Sequence, residues 1–496
     1  MNTGQTFVQP AADVLGLGTR VSARRGVGLT ASERKSLLAI ADLILLNGSL
    51  LAAAVIWVGF KLSPIYLITY AKWFITLTVL WWIIGTLLDV YNLSSAAMTS
   101  RVLTNAGLAA LLTTVIYVLI PVITPQIVSR RYVLGFVLLS TTSVVLWRFL
   151  YTKGFSQPTF QRRVVIVGTG STAQVLFGEL AAARAAGLAD PFAGTGYQIV
   201  GLIAEDSEQA SVQANGLPVL GDISQLVQVF RQRHIDEIAV ALEERCAVAP
   251  NVYEVLLDCH ELGWHLRALP DLYEQLTSRL PVEYAARDLA IFPDHDDGAG
   301  PRIYTSAKRL VDILFALAGL PPLLLLMPWV ALGNALHSPG PLFYRQQRVG
   351  KGGRSFGVIK FRTMGVEAEK TTGAVWSQAG DTRITRVGRL LRKSRLDELP
   401  QILNVLKGEM SMVGPRPERP RFVGQLAQEL PVYRARHAVL PGITGWAQIC
   451  YRYGSSVEDS RVKLEYDLYY VKHASLYLDL LILLRTVPTM LQFKGR

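Results

Sequence analysis

Two adjacent carboxylates, Asp397 and Glu398, stand between a run of arginines and a short apolar segment that is predicted to be helical. Apolar residues recur at i, i+3, i+4 and i+7 from Leu399 onward, and Pro400 is acceptable only in a first helical turn. The acids are therefore expected at a helix N-terminus, where the helix dipole and nearby guanidinium groups favour ionised carboxylates with lowered pKa values. Such groups suit a nucleophile or a metal ligand better than a general acid. The alternative is structural, because acids are common in first helical turns.

Basic residues surround this pair along the chain. Arginines recur at every third position before it, at Arg383, Arg386, Arg389, Arg392 and Arg395. Further upstream, HSPGPLFYRQQRVGKGGRSFGVIKFRTM carries several basic residues and no acid, and downstream Arg416 stands between prolines in a loop that is predicted to be rigid. A basic, glycine-rich surface suits the phosphate groups of a substrate, and it suits docking on anionic lipid equally well.

The composition places part of the chain in a membrane. Its 496 residues suggest about three domains, half of the residues are hydrophobic, and the mean hydropathy is +0.30. The net charge of +12 fits anionic lipid, phosphorylated substrates or nucleic acid, and charge alone does not choose among them. The three cysteines and seven histidines lack metal-ligand spacing, which argues against a disulfide framework and a zinc site.

Four apolar segments near 37–60, 66–88, 103–123 and 132–151 are each close to the roughly 20 residues that span a bilayer. They predict a four-helix transmembrane bundle over residues 36–152. The polar, basic tail over 1–35 has no signal-peptide pattern and is expected in the cytoplasm, to which an even number of crossings returns the chain. Asp42 and Asn47, inside the first span, are interpreted as hydrogen-bonding contacts between helices.

After the spans, a strand-like run is followed by a glycine loop and a helix. The stretch RRVVIVGTGSTAQVLFGELA places Gly168, Gly170 and Ala173 at the G-x-G-x-x-A spacing. Later strand-like runs alternate with helices, so a Rossmann-like, doubly wound parallel sheet is predicted over 160–295. The acid expected about 20 residues after such a loop is missing, and Glu205 and Asp206 come later. A bound nucleotide and a structural or regulatory role both remain open.

Tyr304 and Lys308 form a Y-x-x-x-K pair of the kind found in short-chain dehydrogenases and sugar-nucleotide dehydratases. A membrane-tethered, NAD-dependent sugar-nucleotide dehydratase is therefore the alternative function. The pair opens an apolar segment instead of closing a nucleotide site, which disfavours that hypothesis.

That apolar segment, residues 309–334, is long enough to enter a membrane. Pro321 and Pro322 remove backbone donors and clash with the preceding turn, so a straight helix is not expected. Two topologies remain: a kinked fifth span, and a re-entrant hairpin that enters and leaves by the same leaflet. A fifth span would place Asp397 and Glu398 opposite the cytoplasm, in which nucleotide-activated donors are made, so the re-entrant helix-break-helix is favoured.

Several segments within 309–496 carry a family resemblance. They are SPGPLFYRQQRVGKGGRSFGVIKFRTM, RLDELPQ, MSMVGPRPE, LPGITGWAQ and KLEYDLYYV, in that order. Together they resemble the bacterial sugar transferase family, the monotopic phosphoglycosyl transferases. The preceding spans and nucleotide-fold domain resemble its large members, the undecaprenyl-phosphate hexose-1-phosphate transferases that initiate exopolysaccharide, capsule or O-antigen synthesis.

The resemblance implies transfer of a hexose-1-phosphate from a UDP-sugar, with glucose favoured by family frequency, to undecaprenyl phosphate, with release of UMP. It implies that Asp397 holds the phosphosugar covalently and that Glu398 helps to hold Mg²⁺. Basic positions of the family's active site are matched by Lys360, Arg392 and Arg416, and by Arg452 in a segment that departs from the usual pattern.

The resemblance also implies an arrangement of domains and partners. A mainly α-helical, monotopic catalytic domain is expected over 301–496, on the cytoplasmic face of the bacterial inner membrane. The nucleotide-fold domain is not the catalytic one in this family. Membrane lipids and a second copy of the chain are expected partners, and nucleic acid is not.

Overall fold

The chain divides into two compact units, Met1–Leu276 and Thr277–Arg496. The computed structural model describes residues 31–60, 63–91, 99–120, 130–155, 161–168, 171–185, 192, 195–205, 217–241, 250–285, 299–366, 368, 383–430, 432–451 and 456–491. Gly170, Asp206 and Arg452, which the sequence singled out, lie outside these residues.

The first unit begins with apolar helices. They are α1 (Ala31–Ala53, followed by a π-helical turn Ala54–Val58), α2 (Pro64–Thr69), α3 (Ala71–Leu87), α4 (Thr99–Leu119) and α5 (Arg130–Phe155). Within the described residues, four helices are long and apolar enough to cross a membrane: Ser32–Trp57, Val102–Leu119, Arg130–Gly154 and Arg302–His337. Three of them coincide with predicted spans. The predicted span 66–88 is instead the shorter helix α3, preceded by α2.

Polar side chains join these helices as predicted. Asp42 of α1 and Arg148 of α5, both fully buried, form an ion pair of 2.5 Å. Asn47 donates a hydrogen bond to Thr78 of α3 over 3.1 Å. Each contact links two helices, which confirms the interpretation of Asp42 and Asn47 as structural groups.

A five-stranded parallel sheet follows, in the order β3-β2-β1-β4-β5. Its elements are β1 (Arg162–Val167), α6 (Ser171–Ala185), β2 (Tyr197–Ala204), β3 (Val219–Asp222), α7 (Leu226–Arg233), β4 (Glu237–Val240), α8 (Pro250–Glu261), β5 (His265–Ala268) and α9 (Leu269–Thr277). Val164 and Ile166 of β1 pack in a core with Leu176 of α6, whereas Val165 and Val167 pack in the opposite core. Because successive side chains of a strand point to opposite faces, helices cover both sides of the sheet. The predicted parallel α/β sheet is confirmed.

The second unit begins at Thr277, the last residue of α9. The short helix α10 (Val282–Ala285) shares a core with Leu464 and Leu468, and the amide of Leu280 donates to the carbonyl of Glu465 over 3.1 Å. The predicted limit of the sheet domain at 295 lies outside the described residues and stays a prediction.

Helix α11 (Ala299–His337) dominates the second unit and contains Pro321 and Pro322. The helix continues through both prolines, so the predicted break does not interrupt it, and the re-entrant hairpin stays a prediction. Ala316, Leu323 and Val330 of α11 lie in one core with side chains of the following elements. Residues on both sides of the proline pair therefore contact the same compact domain.

Short elements complete the second unit. They are β6 (Phe343–Val349), β7 (Ser355–Phe361), α12 (Arg386–Lys393), the 3₁₀ helix Leu396–Gln401, α13 (Ile402–Lys407), β8 (Ser411–Val413), α14 (Pro420–Glu429), the 3₁₀ helix Tyr433–Ala438, β9 (Gly442–Thr444), α15 (Trp446–Cys450), α16 (Val457–His473) and α17 (Leu476–Leu491). Strands β6 and β7 form an antiparallel hairpin, and β8 and β9 form a parallel pair. The predicted mainly helical C-terminal region is confirmed.

Candidate active site

The two predicted carboxylates lie in the first turn of the 3₁₀ helix Leu396–Gln401, which runs directly into α13. Pro400 has no N–H to donate to the carbonyl of Leu396, so one α-helical hydrogen bond is missing from this turn. Arg395, with a φ of 58°, turns the chain from α12 into the 3₁₀ helix. The prediction that Asp397 and Glu398 stand at a helix start is confirmed.

Glu398 is held by two cations from different elements. Its Oε1 accepts hydrogen bonds from Lys360 Nζ of β7 and from Arg416 Nη2, both at 2.7 Å. Its Oε2 lies 3.4 Å from Arg416 Nη1, so Arg416 grips both carboxylate oxygens. The Glu398 side chain is only 13 % exposed. The structure thus brings together three residues that the sequence predicted from three separate segments.

The two carboxylates differ in acidity. Burial alone would raise the pKa of Glu398, but the charges and hydrogen bonds of Arg416 and Lys360 hold that pKa well below its usual range. Burial, followed by the adjacent Glu398 charge, raises the pKa of Asp397 to about 6, and Lys360, Arg392 and Arg416 oppose the rise only in part. The prediction of two lowered pKa values is therefore right for Glu398 and wrong for Asp397, because the cations bond directly to Glu398.

Arg392 reaches the site from α12. Its Nε donates to the hydroxyl of Thr363 over 2.9 Å, and its charge lowers the pKa of Asp397. Gly388 lets α12 approach this closely, because a Cβ atom at that position would overlap the Thr363 carbonyl group. The sequence did not indicate this role of Gly388, because the contact joins segments that are far apart in the chain.

Asn404 is a site-supporting residue that sequence reasoning missed. It is fully buried in α13. Its side chain accepts from the Ile359 amide over 3.0 Å and donates to the Gly357 carbonyl over 2.8 Å. It therefore fixes α13 against β7, the strand that carries Lys360. Its only sequence signal was a polar residue inside an apolar helical stripe.

The Y-x-x-x-K pair has a structural role. Lys308 Nζ pairs with Asp479 of α17 at 2.9 Å and donates to the Val413 carbonyl over 3.1 Å. The Tyr304 hydroxyl donates to the same carboxylate over 3.1 Å. Both side chains join α11 to α17 in the second unit, whereas Gly168 lies in the first. The geometry gives no support to the dehydratase hypothesis.

Gly168, the first glycine of the predicted loop, lies beside an acid that the sequence spacing did not suggest. Gly168, at the end of β1, has a φ of 96°, and a Cβ atom there would lie 3.0 Å from Glu205 Oε1 at the end of β2. Strands β1 and β2 are neighbours, which explains the approach. Ala173 is buried at the start of α6. The two residues are far apart in the sequence, so the motif spacing did not predict that they lie close together.

The donor set of the site agrees with Mg²⁺ in chemical type. Mg²⁺ in phosphoryl-transfer sites is usually held by one or two carboxylates together with substrate phosphates. Asp397 and Glu398 supply two neighbouring carboxylates, and the contact of Glu398 Oε2 with Arg416, at 3.4 Å, is longer than those of Oε1. Within the part of the chain that the structure describes, no group of three or more His, Cys, Asp or Glu side chains could hold a metal ion. A metal here would thus rely on substrate oxygens as well.

Fold and site together define a membrane-associated protein whose second unit carries a carboxylate and arginine site suited to phosphate groups. The family model described as bacterial sugar transferase matches residues 303–493, and the model described as a CoA-binding domain matches residues 86–247. The chain belongs to the bacterial sugar transferase family.

Similar proteins carry related names. The chain is 42% identical over 251 residues, 50% of its length, to the UDP-N-acetylgalactosamine-undecaprenyl-phosphate N-acetylgalactosaminephosphotransferase of Aeromonas hydrophila, of which it covers 54%. It is 35% identical over 281 residues, 56% of its length, to the UDP-glucose:undecaprenyl-phosphate glucose-1-phosphate transferase of Xanthomonas campestris pv. campestris, of which it covers 58%. It is 41% identical over 189 residues, 37% of its length, to the exopolysaccharide production protein PSS of Rhizobium leguminosarum bv. phaseoli, of which it covers 94%. The match thus spans little more than half of the first two relatives.

Proposed function

We propose that the protein transfers a hexose-1-phosphate from a UDP-sugar to undecaprenyl phosphate and releases UMP, as the first membrane step in the synthesis of exopolysaccharide, capsule or O-antigen. The carboxylate pair carries this proposal: Asp397 stands beside Glu398, which Lys360 and Arg416 hold at 2.7 Å. The names of two relatives state this type of reaction, one with N-acetylgalactosamine and one with glucose. Glucose is our prediction for the sugar.

The two carboxylates have separate roles in this reaction. Glu398 is occupied by cations, so Asp397 is the nucleophile. A carboxylate with a pKa of about 6 is largely ionised at neutral pH and is more nucleophilic than one with a lowered pKa. The burial and the Glu398 charge that raise the pKa of Asp397 therefore make this carboxylate a better phosphoryl acceptor.

The reaction proceeds in two displacements. An oxygen of Asp397 forms a bond to the β-phosphorus of the UDP-sugar, while the bond from that phosphorus to the bridging oxygen breaks and UMP leaves with that oxygen. A phosphate oxygen of undecaprenyl phosphate then attacks the same phosphorus and frees Asp397. Lys360, Arg392 and Arg416 stabilise the negative charge on the transferring group.

Mg²⁺ is part of the proposal. Glu398, with Asp397 beside it, would hold the ion, which would neutralise charge on the diphosphate so that an anionic nucleophile can approach. The ion pairs of Glu398 with Lys360 and Arg416 would keep its carboxylate fixed during this approach.

We also propose that α11 enters and leaves the membrane on the cytoplasmic side. Near its start, Arg309 donates to the carbonyls of Val405 and Leu406 at 2.6 and 2.8 Å. Near its end, Gly333 lies so close to Val387 of α12 that an added Cβ atom would be 3.0 Å from that side chain. A helix crossing the bilayer would carry these ends to opposite sides, whereas both contact one domain. This topology keeps the site in the cytoplasm of a bacterium, at the inner membrane.

The remaining partners are predictions of the same proposal. Membrane lipids surround the apolar helices, and a homodimer is expected. The sheet domain has a structural or regulatory role rather than the catalytic one. Measuring the mass of the protein in lipid discs tests the dimer.

Purified full-length protein in lipid discs, with Mg²⁺ and undecaprenyl phosphate, tests the reaction. UMP release is followed with UDP-glucose, UDP-galactose and their N-acetylated counterparts, for the wild type and for Asp397→Asn. Asp222→Asn, at a helix start in the sheet domain, is the matched control. We expect one sugar to give UMP, loss of release in Asp397→Asn, and normal release in the control. Full activity of folded Asp397→Asn would contradict the covalent mechanism.

A further inference from the structure

The loop that carries Arg416 is held by hydrogen bonds to its backbone carbonyls. We call residues 415–418 the PRP loop. Each of its four carbonyls accepts a hydrogen bond from outside the loop: Pro415 from the Gly442 amide (3.0 Å), Arg416 from Arg436 Nη2 (3.0 Å), Pro417 from Arg348 Nη1 (3.0 Å) and Glu418 from the Val349 amide (2.9 Å). Pro415 and Pro417 have no N–H. The carbonyls are thus the main points at which this backbone can be fixed.

Arg436 holds the carbonyl of Arg416 itself. It lies in the 3₁₀ helix Tyr433–Ala438 and is 6 % exposed. Besides that carbonyl, it contacts the Tyr433 hydroxyl at 2.6 Å and pairs with Asp467 of α16 at 2.6 Å. Asp467 is 2 % exposed. The guanidinium group is therefore fixed by a buried partner on one side and fixes the loop on the other.

Arg348 holds the next carbonyl and links the loop to the hairpin that carries Lys360. It lies on β6 and contacts the Pro417 carbonyl at 3.0 Å and Glu418 Oε2 at 3.2 Å. Strand β6 pairs with β7, on which Lys360 lies. Arg348 thus connects the loop that carries Arg416 with the hairpin that carries Lys360, and these are the two cations that contact Glu398.

We propose that Arg436, held by Asp467, is a positioning residue that sets the place of the Arg416 guanidinium against Glu398. The prolines on either side of Arg416 restrict its backbone, so a shift of its carbonyl carries the whole residue with it. A displacement of about 1 Å at a charge-stabilising group can cost about a hundredfold in rate. The inference rests on the proposed function and deepens it. Arg436 and Asp467 act on the carboxylate pair through Arg416 and not by direct contact.

A structural role predicts a different outcome. Removal of one partner from a buried ion pair destabilises a fold, and a smaller folded fraction also lowers the rate. The test must therefore ask whether Arg436 acts through Arg416. If two residues act through one group, the effects of their substitutions on the free energy are not additive. If they act independently, the factors by which the substitutions lower the rate multiply.

The experiment is a double-mutant cycle on the full-length protein in lipid discs, with Arg416→Lys, Arg436→Gln and both together. The rate constant kcat for UMP release is divided by the folded fraction from intrinsic tryptophan fluorescence. We expect Arg436→Gln to lower this corrected rate about tenfold or more. The double variant should match Arg416→Lys within about twofold. Multiplying effects would overturn the proposal.

Arg461→Gln is the matched control for the cycle. Arg461 lies on α16, as Asp467 does, and pairs with Glu283 at 3.2 Å and Glu465 at 3.7 Å. We expect its effect, corrected for folding, to multiply with that of Arg416→Lys. Equal non-additivity for Arg461→Gln would assign both arginines a general structural role and would also overturn the proposal.

A second readout needs no catalysis. Carbodiimide labelling of Glu398, assigned to that residue rather than to Asp397 by fragmentation of their common peptide in the mass spectrometer, reports how well Arg416 covers that carboxylate. We expect labelling in Arg436→Gln to rise to the level of Arg416→Gln, and Arg461→Gln to stay at the wild-type level. If the wild type released no UMP from any sugar, the proposed function would fail, and labelling would still decide the positioning. Unchanged labelling in Arg436→Gln would overturn it.

Discussion

At the residue scale, the two neighbouring acids have different chemistry because their partners differ. The sequence placed Asp397 and Glu398 at a helix start with basic residues around them, and the structure agrees. It did not predict that Lys360 and Arg416 would both bond to Glu398, since that choice depends on which carboxylate faces β7 and the PRP loop across space. Local patterns thus located the pair, and only tertiary geometry separated its members.

A pH profile tests the acidity of Asp397. Burial and the Glu398 charge raise its pKa to about 6, and a nucleophile must be ionised, so UMP release should fall as the pH falls through that value. Bound Mg²⁺ would favour the anion and move the midpoint lower. Measuring kcat/KM between about pH 5 and pH 8 shows the acidic limb. A rate that increases on acidification would mean that Asp397 acts in its protonated form.

At the element scale, close approaches between helices and loops build the site. The sequence predicted the sheet, the helix after the acids and most apolar helices, because these depend on local periodicity. It missed Asn404, which makes hydrogen bonds to β7, and Gly388, which packs closely against Thr363 after β7. Both act through contacts between distant segments, and a single sequence gives no measure of such distances.

Gly388 and Gly424 provide a test of this packing. Both lie in helices, in which Gly→Ala normally stabilises by about 0.5–1 kcal/mol. At Gly388 the new methyl group would overlap the Thr363 carbonyl, so Gly388→Ala should instead destabilise by about 1–3 kcal/mol and lower UMP release by displacing Arg392. Gly424, in α14, has open space around it, and Gly424→Ala should show the normal gain. Thermal unfolding measures both, and a stabilised Gly388→Ala would contradict the tight packing.

At the scale of the whole molecule, the chain forms two compact units. Hydropathy predicted most of the apolar helices, and the alternation of strand-like runs with helices predicted the parallel sheet. The path of α11 could not be settled from its prolines, since the helix continues through them. Its contacts with one domain on both sides of the prolines, which no local pattern reveals, are the basis of the re-entrant path that we propose.

The buried ion pair of the first unit tests what holds its apolar helices together. Arg148→Met leaves Asp42 buried without its partner and should destabilise the protein by about 3–5 kcal/mol. Asp42→Leu combined with Arg148→Met removes both charges and should regain much of that loss. Thermal unfolding in detergent compares the variants. A double variant as unstable as the sum of the single ones would mean that the two charges contribute independently.

The PRP loop limits what this part of the site can distinguish in a substrate. Two of its four positions have no amide hydrogen, and all four carbonyls already accept hydrogen bonds from the protein. Hydroxyl orientation and N-acetyl groups distinguish one hexose from another, and this backbone offers amide donors to recognise them at no more than two positions. We therefore expect the loop to contact all donors that share a diphosphate in the same way. Residues elsewhere in the chain would then distinguish glucose from related hexoses.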